Sequence, residues 1–384
     1  MVKRRFWQQE IEKAWDHRSV VWLSGVRRVG KTFLSKSLDD IEYYDCELPS
    51  TRRILEDPET FLEDHRGRRV VLDEIHRLVN PSELLKIASD HFPSVKVLAT
   101  GSSSLGASAR FRDTLTDRKA DVWLSPMIAL DMEYFGNTSI KHRLFRGGLP
   151  PFFLEAAYPG KGYQEWLDNY WAKDILELFR LERRHSFLRF AELLFVQSGG
   201  IFEATKFAAP CEVSRSTISN YLSVLEMTYL FHVLRPFNTR KATEIVAAPK
   251  VYGFDTGLVC FFKGWSELRE SDLGLLWEHF VLNELLARLQ TNRVLYWRDK
   301  SKHEVDFIFP SRSAGPTVVE CKWSAASFDP ANLISFRSKY PRGRSYVVGR
   351  DVTRPYRRTF RGVKADFVDL NGLVRELTQP GVAP

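Results

Sequence analysis

A glycine-rich loop, GVRRVGKT at residues 25–32, stands between a predicted buried strand at residues 20–23 and a helix predicted from about Lys31. The loop matches the pattern GxxxxGK[ST], in which glycines let backbone N–H groups wrap phosphates at a helix N-terminus. Lys31 can reach the β- and γ-phosphates of a nucleotide, and the Thr32 hydroxyl can hold Mg²⁺. A glycine turn beside a surface lysine is the alternative interpretation. The strand–loop–helix order favours a P-loop in a parallel α/β sheet.

A second apolar strand, at residues 69–72, runs directly into Asp73 and Glu74. Ligands of open α/β folds bind at the carboxyl edge of the sheet, where both carboxylates would lie. Asp73 is placed to hold Mg²⁺ through water, and Glu74 to orient and polarise the attacking water. Two acids after a strand are common in loops. Together with the glycine-rich loop, they predict ATP hydrolysis.

A third strand at residues 95–99 ends in a polar turn, from which Thr100 or Ser102 could sense the γ-phosphate. A serine-rich turn without that role is the alternative. The residues predicted to bind the nucleotide are Gly25, Arg28, Gly30, Lys31, Thr32, Thr100 and Ser102.

The chain has 384 residues, more than a typical domain of roughly 100–200, so two or three domains are expected. No segment approaches the ~20 apolar residues that span a bilayer, and the first residues lack the apolar region of a secretory signal. The four cysteines form no CxxC pair. This spacing disfavours a zinc site or a disulfide scaffold and predicts a reducing, cytoplasmic location without membrane association.

The segments GVRRVGKT, VVLDEIHR and LATGSSS resemble the AAA-type ATPase domain of a widespread prokaryotic ATPase group. In that group the domain is usually followed by the region named DUF4143. The resemblance implies an arginine finger or sensor arginine at Arg118, where the family usually has Gly-Arg and this chain has Asp117-Arg118. Arg110 and Arg112 are rivals in the same loop. A finger that acts in trans would require a homo-oligomer, whereas Arg118 could also act in cis.

Two further pieces of the middle region match the same family. They are Gly147–Pro150 and the stretch Tyr170–Ile175, which fits the family pattern Y-x-x-(K/R)-D-(I/V). No chemistry is assigned to either piece, and packing or domain coupling is the preferred interpretation.

Residues 204–211 and 215–227 read as a helix–turn–helix, with Ser214 as the N-cap of the second helix. Strands predicted at 229–234 and 250–254 could form a wing. The segment resembles the winged-helix part of the same family, which implies docking on DNA mainly through its backbone. A helical packing module is the alternative.

Acidic residues and a lysine recur near the end of the chain: Glu278 on a predicted helix, Asp306 on one predicted strand, and Glu320 and Lys322 on the next. This order resembles the PD-(D/E)xK nuclease core. The resemblance implies that the three carboxylates gather Mg²⁺ or Mn²⁺ and that Lys322 positions or activates the attacking water. The alternative is that the acids are structural residues in salt bridges.

The net charge is +8, and residues 311–384 carry thirteen Lys or Arg against six Asp or Glu. The densest run is Arg354, Arg357, Arg358, Arg361 and Lys364, with two aromatic residues between. A concentrated basic surface attracts polyanions and steers their approach. A solvated face of a soluble domain is the alternative.

The fold class predicted for the chain is α/β, with a P-loop parallel-sheet ATPase domain at residues 1–140 and a helical linker at 141–184. A winged-helix module at 185–260 and a restriction-endonuclease-like domain at 261–384 follow. The leading function is ATP hydrolysis coupled to binding, and to Mg²⁺-dependent cleavage, of structured or branched DNA. The alternatives are an ATP-controlled DNA-binding switch, and a defence or signalling ATPase whose partner is a protein.

Overall fold

A computed structural model describes residues 3–101, 109–176, 183–238, 248–311 and 314–379. The chain divides into two compact units. The first comprises Met1–Arg189 and Ser219–Leu230, and the second comprises Phe190–Ile218 and Phe231–Pro384. Among the described residues, no helix combines the length and the apolar character needed to cross a bilayer.

The first unit is built on a five-stranded sheet in which all neighbouring strands are parallel. Its order is β2-β3-β4-β1-β5, and the bounds are Val20–Ser24 (β1), Ile41–Asp45 (β2), Arg69–Asp73 (β3), Lys96–Thr100 (β4) and Lys119–Trp123 (β5). The mixed α/β class and the parallel sheet are therefore confirmed. The three strands predicted from apolar runs occupy the centre of this sheet, and two strands that were not predicted form its edges.

Helices surround this sheet, and its central strands are buried on both faces. On one face Val20, Trp22 and Val97 belong to a core that the surrounding helices close. The helices of this unit have the bounds Arg5–His17, Lys31–Lys36, Pro49–Ile54, Pro58–Asp64, Pro81–His91, Ala109–Thr114, Ala129–Met132, Ile140–Arg146, Pro150–Leu154, Gly160–Tyr170 and Arg184–Val196, the last ending in the second unit. A π-helical stretch, Trp171–Ile175, extends the helix Gly160–Tyr170.

The second unit contains two sheets. The smaller is antiparallel, has the order β6-β8-β7, and consists of Gly200–Ile201 (β6), Phe231–Leu234 (β7) and Lys250–Gly253 (β8). The larger has the order β13-β14-β12-β11-β10-β9, with the bounds Leu295–Arg298 (β9), Glu304–Phe309 (β10), Thr317–Lys322 (β11), Ser345–Gly349 (β12), Tyr356–Phe360 (β13) and Val363–Val368 (β14). Strands β10 and β11 carry Asp306 and the pair Glu320 and Lys322, as predicted, and β13 forms an edge of the sheet.

The helices of the second unit have the bounds Ala204–Ala208, Thr256–Phe262, Glu270–Leu289, Ala331–Lys339 and Leu370–Leu377. The helix Arg215–Met227 has the predicted bounds, and its first turn is capped as predicted, since Thr217 N–H donates to Ser214 Oγ at 3.1 Å. The helix predicted from Leu275 begins earlier, at Glu270. Asp272 explains the early start, because its carboxylate accepts from the Arg269 N–H at 3.0 Å and stabilises the first turn.

Candidate functional site

The glycine-rich loop follows β1, and two side chains from distant parts of the chain fix its backbone. Trp166 Nε1 donates to the Arg27 carbonyl at 3.1 Å, and Arg4 Nη1 donates to the Val29 carbonyl at 3.1 Å. In a trans peptide the N–H points away from the carbonyl of the same unit. The N–H groups that follow these two carbonyls therefore face away from Trp166 and Arg4, where an anion can accept from them.

Two glycines give the loop its path. Gly25 has φ +151°, and a Cβ there would lie 2.5 Å from the Leu124 carbonyl oxygen, so any side chain would push the loop off β5. Gly30 has φ +104°, in the left-handed region that favours glycine. Arg28, between them, adopts φ +63° and is exposed.

Lys31 lies within the loop. Its Nζ donates to the Gly25 carbonyl at 2.8 Å and to the Val26 carbonyl at 3.4 Å. Burial lowers the pKa of Lys31, although nearby carboxylates oppose the shift, Glu74 most strongly. An ammonium group held by weak carbonyl acceptors, with acidic groups around it, can exchange those acceptors for phosphate oxygens.

Asp73 ends β3 and is almost fully buried, yet its hydrogen-bond donors among the described side chains are all neutral hydroxyls. Asp73 Oδ2 accepts from Thr32 Oγ1 at 2.8 Å and from the Tyr43 hydroxyl at 2.5 Å, and Asp73 Oδ1 accepts from Thr100 Oγ1. Tyr43 was not predicted, because β2 carries charged residues and no apolar run. Burial raises the pKa of its phenol, and the hydrogen bond to Asp73 adds to the shift.

The donor set around Asp73 fits Mg²⁺. A buried carboxylate beside a hydroxyl offers the hard oxygen ligands that this cation prefers, and no ammonium or guanidinium group bonds to that carboxylate among the described residues. Thr32 and Asp73 would hold the ion. The ion would supply positive charge to the phosphates.

Glu74 follows directly in the left-handed conformation, at φ +54°, which is uncommon for a residue with a side chain. Its N–H donates to Thr100 Oγ1 at 3.2 Å, and its Oε2 lies 3.1 Å from His76 Nδ1. Burial by itself would raise the pKa of Glu74, but the nearby His76 side chain and the charge of Lys31 outweigh it. The pKa therefore lies below its ordinary value, and the carboxylate is ionised at neutral pH.

Other predicted residues of this site are placed differently. Ser102 lies outside the described residues, as do the side chains of Arg110 and Arg112. Arg118 Nε bonds to Asp90 Oδ1 at 2.8 Å, on the helix Pro81–His91. The structure thus brings Thr100 to Asp73 and Glu74, and it gives Arg118 a partner away from the loop.

Residues at the start of the N-terminal helix and Asp131 on the helix Ala129–Met132 form a buried anchor that contacts the loop. Asp131 Oδ2 accepts from Arg4 Nη2 at 2.5 Å and from Trp7 Nε1 at 3.1 Å. Arg4 is buried and also binds the loop, as described above. The position of the loop therefore depends on residues near position 4 and near position 131.

The Gly-Gly piece has a packing explanation. Arg143 is fully buried and donates from Nε to the Met127 carbonyl at 2.8 Å, while Met127 N–H donates to the Gly148 carbonyl at 2.7 Å. A Cβ on Gly148 would lie 2.4 Å from the Arg143 guanidinium. Glycine at position 148 leaves room for the buried Arg143 guanidinium, which packs directly against the backbone.

In the second unit, the described structure brings two of the predicted acids together. Asp306 and Glu320 adjoin the paired residues Phe307 and Val319 on neighbouring antiparallel strands. Asp306 Oδ2 accepts from the Cys321 N–H at 2.8 Å. Burial, with the charge of Glu278 adding to it, raises the pKa of Asp306 to about 6.

Glu320 is the less satisfied of the two acids. Its Oε2 lies 3.3 Å from Lys322 Nζ, while its Oε1 is buried and has no hydrogen-bond partner in the described structure. Burial, followed by the charge of Asp306, raises the pKa of Glu320 to about 8. Burial acts to lower the pKa of Lys322, but the two carboxylates outweigh it and the pKa is raised. An orphaned buried oxygen in a pair of acids is an arrangement that a bound cation would satisfy.

Glu278 has other partners. Lys250 Nζ, from β8, donates to Glu278 Oε1 at 2.8 Å and to Glu304 Oε1 at 2.6 Å, and the Tyr252 hydroxyl also donates to Glu278 Oε1. Burial acts to raise the pKa of Glu278, but the Lys250 charge outweighs it and the pKa is lowered. Within the described ranges, no three His, Cys, Asp or Glu side chains are grouped as a metal site.

The basic run lies on and around β13, at the exposed edge of the larger sheet: Arg354 precedes the strand, and Lys364 lies on β14. Arg357 bonds in a bidentate manner to Asp366, with N···O distances of 2.5 and 2.9 Å. Arg358 lies over the Phe360 ring at 5.0 Å. Among the described residues, Asp366 is the only carboxylate that pairs with this run, so Arg354 and Arg361 keep their full charge.

Three family comparisons cover most of the chain. Residues 17–132 match the AAA domain, residues 137–269 match a domain of unknown function (DUF8612), and residues 273–363 match a second domain of unknown function (DUF4143). The matches to the AAA domain and to the DUF4143 region agree with the resemblance that the motifs indicate. ATP with Mg²⁺ is the ligand that such a domain implies.

Full-length relatives and solved structures are also similar. The uncharacterized proteins Rv2008c of Mycobacterium tuberculosis and Mb2031c of Mycobacterium bovis are each 27% identical over an alignment of 391 positions, which covers 98% of this chain and 87% of theirs. The Walker-type ATPase PABY2304 of Pyrococcus abyssi is 15% identical, with a TM-score of 0.45 over 68% of this chain and 96% of its own. A STAND signal-transduction ATPase of Pyrococcus horikoshii is 13% identical, with a TM-score of 0.29 over 74% and 46%.

Proposed function

We propose that this chain hydrolyses ATP and binds DNA, and that the nucleotide controls the DNA-bound state. One observation carries the ATPase part. The lysine and threonine of the loop at residues 25–32 lie with the carboxylates of Asp73 and Glu74 at the carboxyl edge of one parallel sheet. The match to the AAA domain supports the same function.

Each residue has a role in this proposal. Lys31 contacts the β- and γ-phosphates, and Thr32 and Asp73 hold Mg²⁺. Glu74 is ionised and accepts a hydrogen bond from the attacking water, which it orients toward the γ-phosphate. Thr100 bonds to both the Asp73 carboxylate and the Glu74 backbone, so a shift of one residue on nucleotide binding would move the other.

DNA is the second ligand of the proposal, and the basic run on β13 supports it. Exposed arginines beside aromatic rings suit a phosphate backbone together with unstacked bases. In the second unit, the helix Ala204–Ala208 and the small antiparallel sheet β6-β8-β7 support the winged-helix part of the proposal. The second predicted helix, at residues 215–227, carries one arginine and several small polar residues, which favour contacts to the DNA backbone over base readout, and hence recognition of a DNA shape such as a branch.

Substituting Arg354, Arg358 and Arg361 by Gln is expected to weaken DNA binding and to flatten its dependence on salt. Each phosphate contact that is lost should reduce the slope of log K against log salt by about 0.9 on duplex DNA. Fluorescence anisotropy with labelled duplex and four-way DNA, at several salt concentrations, measures both quantities.

The matched control is the pair Arg357→Gln with Asp366→Asn. It removes one bidentate ion pair from the same strand edge without changing the net charge. We expect the control to keep the salt slope of the wild type. An equal loss in both variants would show that the lost charges do not cause the effect, and unchanged binding in the triple variant would place the DNA contact elsewhere.

A second candidate function is metal-dependent DNA cleavage, and the orphaned Glu320 oxygen favours it. Asp306 and Glu320 would hold Mg²⁺ or Mn²⁺, and Lys322 would position the water. The ion would stabilise the charge on the scissile phosphate. Glu278 is bound to Lys250, so it would join the metal only after that ion pair breaks.

Asp306→Ala is therefore expected to abolish any Mg²⁺- or Mn²⁺-dependent cleavage and to leave ATP hydrolysis intact. Lys322→Ala should lower the cleavage rate more than the metal affinity, since an ammonium cannot ligate a cation. Digestion of linear, single-stranded and four-way DNA, with and without ATP, measures the cleavage.

Glu203→Ala is the control for these variants, because Glu203 is an exposed acid of the same unit that pairs with Lys206 on the surface. Cleavage that persists in Asp306→Ala would identify a contaminating nuclease. If the wild type binds the DNAs but cuts none of them with either metal, the ATP-controlled switch is the correct account, and the acids are structural.

A further inference from the structure

Arg27, the first of the two arginines in the glycine-rich loop, is held at two points by one helix. Its carbonyl accepts from Trp166 Nε1 at 3.1 Å, and its Nε lies 3.4 Å from Asp174 Oδ2. Both partners belong to the helix Gly160–Tyr170 and its π-helical extension, which follow the region matched to the AAA domain. No sequence motif assigned a role to Arg27 or Asp174.

Asp174 is unusual for its burial. Only 4% of its side chain is exposed, and its ionic partner is Arg27. Burial raises the pKa of Asp174, while the charges of Arg27 and Lys31 oppose that shift. A carboxylate in such a place is stabilised by those cations. The π-helical turn that carries Asp174 is itself a feature that occurs frequently at functional sites.

The Arg27 guanidinium belongs to the same group of charges as the catalytic candidates. Its charge contributes to the pKa shifts of both Lys31 and Glu74, more weakly than the other charges that act on them. Its side chain is 32% exposed, and its Nη atoms have no hydrogen-bond partner in the described part of the chain. A guanidinium has five N–H donors in a fixed plane. With Nε held by Asp174, the Nη donors are available to a second anion.

We propose that Arg27 contacts the terminal phosphate of ATP from within its own chain, and that Asp174 and Trp166 are positioning residues that aim it. This inference rests on the proposed function, in which the loop binds ATP. It gives the role of the stabilising arginine to Arg27, whereas Arg118 bonds to Asp90. It also connects the nucleotide to the helix Gly160–Tyr170.

The test compares ATP with ADP, because a residue that contacts only the terminal phosphate must discriminate between them. Isothermal titration with a non-hydrolysable ATP analogue and with ADP measures both affinities. For Arg27→Ala, the affinity for the analogue should fall by roughly 10- to 100-fold, the scale of a charge-assisted hydrogen bond, and the affinity for ADP by less than about 3-fold. Turnover of ATP should fall by about 10³-fold.

Asp174→Asn keeps the shape of the side chain and removes its charge. It should lower the affinity for the ATP analogue by about 3- to 10-fold and spare ADP. The double variant Arg27→Ala with Asp174→Asn should bind the ATP analogue no more weakly than Arg27→Ala alone, because both substitutions remove the same contact between Arg27 and the terminal phosphate. Tighter binding of the ATP analogue by Asp174→Asn would overturn the proposal, since it would show that Asp174 repels the phosphate.

Asp168→Asn is the matched control. Asp168 lies on the same helix and also pairs with an arginine, Arg184, at 2.9 Å, but that pair is exposed. Its ATP-to-ADP affinity ratio should equal that of the wild type. If Asp174→Asn does not fold, as judged by thermal melting, Trp166→Phe replaces it, since it removes the other bond that holds Arg27.

The outcomes separate this inference from the proposed function. If the wild type binds neither nucleotide, the proposed function fails. If the wild type binds both and Arg27→Ala keeps the wild-type ratio of ATP to ADP affinity, only the role of Arg27 is refuted. If Arg27→Ala lowers the ratio of ATP to ADP affinity but Asp174→Asn and Trp166→Phe leave it unchanged, the positioning role of Asp174 and Trp166 is refuted.

Discussion

Lys31→Ala is expected to abolish productive ATP binding. The backbone donors of the loop would survive, because Trp166 and Arg4 still hold its carbonyls. The point charge that binds the β- and γ-phosphates would be lost, and the carboxylates of Asp73 and Glu74 would then face the triphosphate without it. Isothermal titration with ATP and Mg²⁺ measures the effect, together with the rate of phosphate release.

Lys13→Ala provides the comparison for this variant. Lys13 is an exposed lysine of the same unit that pairs with Glu10 on the surface. We expect it to bind and hydrolyse ATP as the wild type does. Equal activity of Lys31→Ala and Lys13→Ala would show that the loop is not a nucleotide site.

Glu74→Gln should separate binding from hydrolysis. The amide keeps the shape of the side chain but cannot accept a proton or polarise water as a carboxylate does, while Asp73 and Thr32 can still hold Mg²⁺. Binding should persist, and kcat should fall by roughly 10²–10⁴-fold, the usual scale of a general base. Steady-state phosphate release together with nucleotide titration gives both numbers.

The pH dependence of the wild type provides a second check on Glu74. A carboxylate acts as an acceptor only when it is ionised, so turnover should fall as the pH decreases through its pKa. That pKa is lowered from its ordinary value of 4.5, so the loss should occur below about pH 4.5. Unchanged turnover in Glu74→Gln would show that another residue orients and polarises the attacking water.

The sequence predicted the central strands of the sheet in the first unit and missed both of its edges. Strands β1, β3 and β4 are uninterrupted apolar runs because helices cover both of their faces. Strand β2 carries Glu42 and Asp45, and β5 carries Lys119 and Asp121, because an edge strand is partly solvated. Apolar periodicity therefore cannot reveal such strands, and Tyr43 was missed together with β2.

The residues of the candidate sites follow the same division. Lys31, Thr32, Asp73 and Glu74 are predictable because they adjoin recognisable strands. The sequence cannot place Asp174 or Lys250 at these sites, since each meets its partner across a long stretch of chain, 147 residues between Arg27 and Asp174. Lys250 forms an ion pair with the Glu278 carboxylate, and the spacing of the acids in the sequence does not reveal this lysine partner.

The hydrogen bond between Trp166 and the Arg27 carbonyl determines when, during synthesis of the chain, the glycine-rich loop can reach its final conformation. The two residues are 139 positions apart, and a ribosome adds roughly 5–20 residues per second. The loop therefore leaves the ribosome about 7–28 seconds before the indole that fixes it. During that interval the nascent chain has the residues of the phosphate cradle without their final support, so mature nucleotide affinity arises only after the helix Gly160–Tyr170 has been synthesised and has packed.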